Sequence, residues 1–283
     1  MVLEITDDFD LDRIADSGQC FRWERLADGS YRILHGELCL YMERLGETAY
    51  SLSCGEAEFE SVWRGYFDLA EDYSAIRGRI DPARDPFLRA AAEQEKGIRI
   101  LRQGAWEMLI TFIISQNRNI PAIRRSVELL CEISGEEKTD CRGRPYHAFP
   151  TAGAVAALSE AQLRDCRLGY RCRFVHEAAA AVAGGKLDPD RLRDLPGEEA
   201  CRTLMELSGV GIKVASCISL FGLHDLDAFP RDVWIKRILE NEYPEGYPLE
   251  RYAPYNGVYQ QYMFAYYRGR ERKKGEISHA EAV

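Results

Sequence analysis

A lysine and an aspartate form the residue pair in this sequence that is best suited to covalent chemistry. Lys213 begins an apolar stretch directly after a glycine-rich turn, and Asp232 precedes a second apolar stretch with helical periodicity. One predicted helix and one loop separate them, so the chain can return and bring the two side chains together. An amine can attack an electrophilic carbon and form a Schiff base, while a nearby carboxylate stabilises developing positive charge. A purely structural role, as the N-cap of the following helix, is the alternative for Asp232.

The turn before Lys213 reads Ser-Gly-Val-Gly and lies between two apolar stretches. Gly209 and Gly211 permit a tight turn with positive φ, and they let another backbone approach closely. The free N–H groups at the start of the second helix would point at a phosphate. We therefore predict a helix-hairpin-helix that binds the DNA backbone. A plain corner between two helices remains the alternative.

The overall composition is that of a globular protein with an acidic balance. The chain has 283 residues and a net charge of -9, with 46% hydrophobic residues. The net charge argues against nucleic acid, but basic residues concentrate at 118–125, 164–173 and 268–274, so one positive face can exist. The acidic N-terminus has no apolar signal core, and no apolar run is long enough for a membrane span. Nine scattered cysteines without a Cys-x-x-Cys pair favour a reducing cytosol over a disulfide framework or a zinc site.

The chain divides into two predicted domains, an α+β arrangement. Residues 1–82 contain short β-rich runs broken by turns, which predicts an antiparallel sheet, with a helix over 59–69. The prolines of Asp-Pro-Ala-Arg-Asp-Pro at 81–86 mark a plausible junction. Residues 83–283 show helical periodicity and predict a larger all-α domain that contains the hairpin.

A hairpin of the form Gly-Val-Gly-x-Lys, followed by a proline and then an aspartate, resembles the helix-hairpin-helix glycosylases of base excision repair. The lysine is typical of the bifunctional branch, and the sequence is most similar to the 8-oxoguanine DNA glycosylase family. The resemblance extends from about residue 18 to residue 264. It implies a bifunctional DNA N-glycosylase and abasic-site lyase that uses Lys213 as nucleophile and Asp232 as partner, acting on double-stranded DNA that contains 8-oxoguanine.

The resemblance also implies a pocket for an extruded base, since a base inside a duplex is out of reach. Ser17-Gly-Gln-Cys-Phe-Arg-Trp23 is similar to the family segment in which the glycine, here Gly18, offers its carbonyl to the N7–H of 8-oxoguanine. Ordinary guanine has a bare N7 acceptor there. By the same resemblance Cys217 and Phe264 contact opposite faces of the base, and Gln260 bonds its Watson–Crick edge.

Three further residues are assigned to DNA by resemblance alone. Asn117 would fill the space that the base leaves, Tyr170 would wedge into the stack, and Arg171 would reach the orphaned base or a phosphate. The family often has an arginine for the partner cytosine where this chain has Ala122. We therefore expect a relaxed preference for cytosine opposite the lesion.

Other interpretations stay open at the level of sequence. The chain could be a glycosylase for other damaged bases, a non-catalytic helix-hairpin-helix module that binds DNA, or a metabolic protein whose lysine forms a Schiff base with a small carbonyl compound. No cofactor is required, and we expect a monomer. The turn carbonyls around Met205, Leu207 and Val210 could hold a structural cation, as the resemblance implies, without a catalytic role.

Overall fold

The N-terminal part of the chain forms a five-stranded antiparallel sheet. The computed structural model describes residues 1–270 in full and the backbone of 271–280. The strands of the chain are β1 (Val2–Glu4), β2 (Trp23–Arg25), β3 (Tyr31–His35), β4 (Leu38–Arg44), β5 (Ala49–Leu52), β6 (Glu137–Thr139) and β7 (Pro145–His147). The order in the large sheet is β1-β5-β4-β3-β2, and β6 pairs with β7 in a separate hairpin.

Strands β3 and β4 pair because their apolar residues face the same core and a short loop joins them. Ile33 lies opposite Leu40 and Tyr31 opposite Met42, and all four side chains are buried. Gly36 in the loop has a φ of 55°, a left-handed conformation that glycine adopts without steric cost.

A helical run covers this sheet, as predicted, but it begins earlier than predicted. It consists of α2 (Glu56–Glu58), a π-helical turn (Phe59–Trp63) and α3 (Arg64–Tyr66). Phe59 and Trp63 are fully buried against the sheet.

The remainder of the described chain is helical apart from the β6–β7 hairpin. The other helices are α1 (Leu11–Asp16), α4 (Tyr73–Gly78), α5 (Pro86–Gln94), α6 (Ala105–Ile114), α7 (Ile120–Ser134), α8 (Ala152–Ala156), α9 (Glu160–Asp165), α10 (Arg171–Ala183), α11 (Gly197–Met205), α12 (Ile212–Ile218), α13 (Val233–Glu242), α14 (Leu249–Tyr252) and α15 (Asn256–Ala280). A 3₁₀ turn spans Arg191–Asp194, and a second π-helical turn, Ser219–Leu223, continues α12.

This architecture confirms the predicted class of an antiparallel sheet region followed by a helical region. One detail differs, because the helical region is not all-α: it contains the β6–β7 hairpin. The hairpin packs on the N-terminal sheet, where Arg32 on β3 pairs with the buried carboxylate of Asp140 at 2.8 Å. The division near residue 82 stays a prediction. Within the described residues, no helix combines the length and apolar character needed to cross a bilayer.

Two buried polar side chains join the sheet region to the helices. Arg99 donates hydrogen bonds to the backbone carbonyls of Asp8, Phe67, Asp68 and Glu71 and pairs with the Asp7 carboxylate at 2.7 Å. Buried guanidinium groups are stable only when their donors are paired in this way.

Gln19, which follows Gly18, makes the second connection. Its amide bonds the carbonyl of Arg99 and the N–H of Leu101, each at 2.8 Å, and its own backbone carbonyl accepts from Gln103. The loop of Gly18 is therefore held in place against the segment at 99–103 that leads into α6.

Candidate active site

The glycine turn before Lys213 has the predicted helix-hairpin-helix form, between α11 and α12. Gly209 has a φ of 79°, and a Cβ atom there would lie 2.4 Å from the ring of Phe174. Gly211 differs, since its φ of -91° suits any residue and a Cβ atom would meet nothing within 4 Å. Gly209 is thus required by the fold itself, whereas nothing among the described residues requires a glycine at 211.

Helix α12 carries Lys213 and Cys217 one turn apart, on the same face. Cys217 is buried, and burial raises the pKa of its thiol to about 11, against the opposing charge of Lys213. Cys217 is therefore a neutral thiol near pH 7 and contributes an apolar wall.

Asp232 lies at the start of α13 and caps it. Its Oδ1 accepts a hydrogen bond from the N–H of Ile235 at 2.8 Å, which confirms the N-cap role. Burial raises the pKa of Asp232; the hydrogen bond from Ile235 and the positive charges of Lys213 and Arg268 act in the opposite direction.

The residues assigned to catalysis and to the base pocket line a single cavity. Its empty volume is about 620 Å³, open mouth included. The lining includes Gly18, Lys213, Cys217, Asp232, Gln260 and Phe264. Residues from the first sheet region, the hairpin, α13 and α15 thus converge, although they are far apart in sequence.

Phe264 on α15 and the loop of Gly18 lie next to each other in the lining of the cavity. Gly18 has a φ of 84°, and a Cβ atom there would lie 3.4 Å from the Phe264 ring. Arg268 stacks over the Phe264 ring, with its guanidinium carbon 5.2 Å from the ring centroid. The same guanidinium donates to the carbonyl of Asp16, so it ties α15 to the loop.

Asn117 and Tyr170, both assigned to DNA, are neighbours in space. The Asn117 amide donates to the Tyr170 hydroxyl at 3.2 Å, and Tyr170 is 55% exposed. Asn117 also has a left-handed backbone with a φ of 50°. An exposed aromatic beside an exposed amide, outside any core, suits contact with a ligand.

Arg171 takes a position that the sequence did not predict. Its side chain is buried, and its guanidinium donates to the backbone carbonyls of Gln116 and Leu168. In this conformation Arg171 fixes the segment that carries Asn117 and does not project towards solvent. A DNA contact by Arg171 would require these bonds to break, so that contact stays a prediction.

Comparison with known proteins gives two family matches that together cover most of the chain. Residues 2–109 match the N-terminal domain of 8-oxoguanine DNA glycosylase, and residues 110–244 match the HhH-GPD superfamily of base excision DNA repair proteins. An N-glycosylase/DNA lyase of Saccharomyces cerevisiae is 37% identical over 82% of this chain and 68% of its own length. The chain belongs to the 8-oxoguanine DNA glycosylase family. It is accordingly a DNA repair enzyme.

Other members of the family show the same likeness in sequence and in structure. The N-glycosylase/DNA lyase OGG1 of Arabidopsis thaliana is 31% identical over 80% of this chain and 64% of its own length. The structure of MBOgg1 in complex with a low-affinity DNA ligand has a TM-score of 0.90 at 34% identity, covering 95% of this chain and 96% of that one. The 8-oxoguanine glycosylase/lyase of Clostridium acetobutylicum, in complex with DNA that has cytosine opposite 8-oxoguanine, has a TM-score of 0.87 at 33% identity and covers 96% and 98%.

In this family member the pocket has an aromatic floor that sequence reasoning missed. The rings of Phe112 and Phe221 stack with centroids 5.4 Å apart, and Phe21 meets Phe112 edge-on at 5.9 Å. A signal for Phe221 was present, because it follows Cys217 by one helical turn. Phe112 and Phe21 gave none, since buried phenylalanines usually belong to an ordinary core.

Further lining residues also went unassigned. Ser17, Ser115, Arg118, Ile120, Ile123, Pro230 and Gln261 complete the wall. Pro230 and Gln261 stand directly beside the assigned segments.

Proposed function

We propose that this chain excises 8-oxoguanine from duplex DNA and then cleaves the strand at the abasic site. The observation that carries the proposal is the convergence of Lys213 and Asp232 on one cavity, together with Gly18, Cys217 and Phe264. The relatives named as glycosylase/lyases support the same reaction.

The first step replaces the glycosidic bond. The bond between C1′ and N9 of the base breaks, and the base leaves with the bonding electrons and takes up a proton. Attack on C1′ uses the amine lone pair, so Lys213 must lose its proton before the new C–N bond forms. The Asp232 carboxylate faces the cationic sugar that develops and lowers its energy.

The second step opens the sugar and breaks the strand. The ring oxygen leaves C1′ with a proton, which gives a Schiff base between Lys213 and the opened sugar. Loss of a proton from C2′ then expels the 3′ phosphate, and water later releases the enzyme from the product. No bound group other than the chain's own side chains is needed for these steps.

The geometry supports a sandwich for the extruded base. Cys217 on α12 and Phe264 on α15 both line the pocket, and we propose that they contact opposite faces of the base. The Gly18 carbonyl would accept the N7–H that 8-oxoguanine has and guanine lacks. Asn117 and Tyr170 would enter the duplex, and the N–H groups near Gly211 would hold a phosphate.

Trapping with borohydride tests the proposal. A duplex with one 8-oxoguanine is incubated with the natural protein, with Lys213→Gln and with Lys236→Gln, which removes an exposed lysine of α13. We expect a covalent DNA complex from the natural protein and from Lys236→Gln, but not from Lys213→Gln. Base release without any trapped complex would favour a water-using glycosylase instead, and binding without base release would favour a non-catalytic DNA-binding module.

Several sequence-based expectations stay predictions beside this proposal. They are a monomeric state, a cytosolic or nucleoid location, and a structural cation at the turn. The turn carbonyl of Leu207 accepts a hydrogen bond from the N–H of Val210 at 3.1 Å, and the carbonyls around it, including that of Met205, are the candidate cation ligands.

A further inference from the structure

Gln261 contacts the residue that we propose reads the base. Gln260 and Gln261 are each 3% exposed, and both line the pocket. The amide nitrogen of Gln261 donates to Oε1 of Gln260 at 2.8 Å. The amide nitrogen of Gln260 in turn donates to the backbone carbonyl of Pro230 at 3.2 Å. The three groups form a relay of hydrogen bonds along the pocket wall.

The relay fixes which end of the Gln260 amide is which. A backbone carbonyl only accepts, so the NH₂ group of Gln260 must face Pro230. Its oxygen then faces the NH₂ group of Gln261. A half-turn of the Gln260 amide would set oxygen against oxygen and nitrogen against nitrogen, and buried groups that lose their partners are costly. Gln260 is therefore held with its oxygen, which has a second lone pair, available as an acceptor.

Gln261 has an unused acceptor of its own. Within the described part of the chain, its Oε1 is buried and has no hydrogen-bond partner. Buried polar atoms seldom remain unpaired in folded proteins. Because Gln261 lines the pocket, a donor that arrives with a bound base is the natural partner for this oxygen.

Two adjacent acceptors match one kind of Watson–Crick edge. A guanine-type edge has N1–H and an N2 amino group side by side, which are both donors. An adenine-type edge has a bare N1 acceptor in that place, which would face the lone pairs of the two glutamine oxygens. The arrangement accordingly favours a guanine-type base and disfavours an adenine-type base.

We propose that Gln261 is a specificity-determining residue, which fixes the Gln260 amide as an acceptor and supplies a second acceptor for the N1–H and N2 amino edge. The inference rests on the proposed function. It concerns the Watson–Crick edge alone, and the N7–H contact to Gly18 is independent of it.

Excision of 8-oxoguanine and of 8-oxoadenine by the same variants tests this inference, since both bases have the N7–H and differ at the other edge. Single-turnover rates are measured at saturating enzyme for the natural protein, Gln261→Met and Gln261→Glu. Methionine keeps the volume and removes both polar groups, whereas glutamate keeps an acceptor and removes the donor. We expect the 8-oxoguanine to 8-oxoadenine rate ratio to fall by about tenfold in Gln261→Met, which loses both roles, and by less in Gln261→Glu, which loses only the donor that orients Gln260. The lyase rate on a duplex with an abasic site, which has no base to read, should fall much less than the excision rate of 8-oxoguanine.

A double-variant cycle separates orientation from mere packing. Gln260→Met should lower the ratio, and adding Gln261→Met to it should lower the ratio by less than Gln261→Met does alone, because the amide to be oriented is gone and only the second acceptor is left to lose. If Gln261→Met lowers both excision rates and the lyase rate equally, Gln261 is only structural and the inference is wrong. If the natural protein excises neither base and forms no trapped complex, the proposed function itself fails.

Discussion

The carboxylate of Asp232 accepts a hydrogen bond from the backbone N–H of Ile235 at 2.8 Å while it lines the same pocket as Lys213. One side chain thus caps a helix and lines the cavity of the proposed nucleophile. A substitution at 232 can act through either role, so variants must separate the two.

Asp232→Asn should keep the cap and remove the charge. Asparagine is an equally good N-cap, so the free energy of unfolding should change little. We expect the excision rate to fall by at least about 100-fold, since the cationic sugar loses its electrostatic partner. Asp232→Ala should lose a similar amount of activity and also about 1 kcal/mol of stability. Thermal melts measure the stability and single-turnover excision measures the activity. If Asp232→Asn excised the base at the natural rate, the only role of Asp232 would be to cap α13.

The pH dependence of excision should report the same carboxylate. Burial raises the pKa of Asp232 in the folded protein, and catalysis needs the ionised form. Activity should therefore fall on acidification at a higher pH than an ordinary aspartate would give. Single-turnover rates from acidic to neutral pH measure this limb. The remaining activity of Asp232→Asn should not show this decrease at acidic pH. The same decrease in that variant would show that another group titrates.

The two glycines of the hairpin should respond differently to alanine. Gly209→Ala forces a Cβ atom into a left-handed backbone and against the Phe174 ring, so we expect a loss of about 2–4 kcal/mol of stability. Gly211→Ala meets open space, so its stability should be unchanged. If a phosphate approaches the backbone at position 211, the DNA affinity of the Gly211→Ala variant should fall about tenfold at constant salt. Thermal melts and DNA titrations distinguish the variants. If Gly211→Ala bound DNA as tightly as the natural protein, the DNA would not contact the backbone at position 211.

The sequence predicted the centre of the site better than its surroundings. Lys213 and Asp232 could be predicted because a turn motif and a cap signal mark them locally. Gly18, Cys217 and Phe264 could be predicted because the family resemblance assigned a role to each of them. Burial of Arg171 was not predictable, since its acceptor, the Gln116 carbonyl, lies on a different part of the chain. The β6–β7 hairpin was missed because its strands are short and polar and have no apolar alternation.

Acid should weaken the connection between the sheet region and the helix of Lys213. Asp68, which is buried, lies 2.7 Å from Arg102 and 3.1 Å from His224, the residue that ends the helical run after α12. Burial alone would raise the pKa of Asp68, but His224 and Arg102 outweigh it and lower the pKa to about 2. The stabilisation is thus complete above the unfolded pKa of 3.8 and is lost as the pH falls towards about 2.

Denaturant unfolding between pH 5 and pH 2 measures this effect. The natural protein should lose about 2 kcal/mol from Asp68 over the interval, because its pKa is about 2 in the folded protein and 3.8 in the unfolded chain. Asp68→Asn should be less stable at neutral pH and show a shallower acid dependence, whereas Asp165→Asn, at an exposed position, should follow the natural protein. An Asp68→Asn profile parallel to the natural one would contradict the assignment.

Choice of the base opposite the lesion should be relaxed in this enzyme. Ala122 stands in the first turn of α7 where the family resemblance implies an arginine, and its small side chain has no donor for the acceptors of cytosine. The nearby Arg118 guanidinium does not replace it in this conformation, because it bonds the Arg167 carbonyl and the Ser126 hydroxyl. We expect excision opposite adenine, guanine and thymine within about tenfold of excision opposite cytosine, since a bidentate contact is worth about 1–3 kcal/mol.

An arginine introduced at position 122 tests whether its absence is the cause of the relaxed preference for cytosine. Ala122→Arg should increase the preference for cytosine by about tenfold, the lower part of the range for one bidentate pair. Ala157→Arg adds the same charge at the exposed C-cap of α8 and should raise affinity for all four duplexes equally. A strong preference for cytosine in the natural protein would show that another side chain reads the orphaned base. Arg171 would then be the first candidate, because release from the Gln116 carbonyl would free its donors.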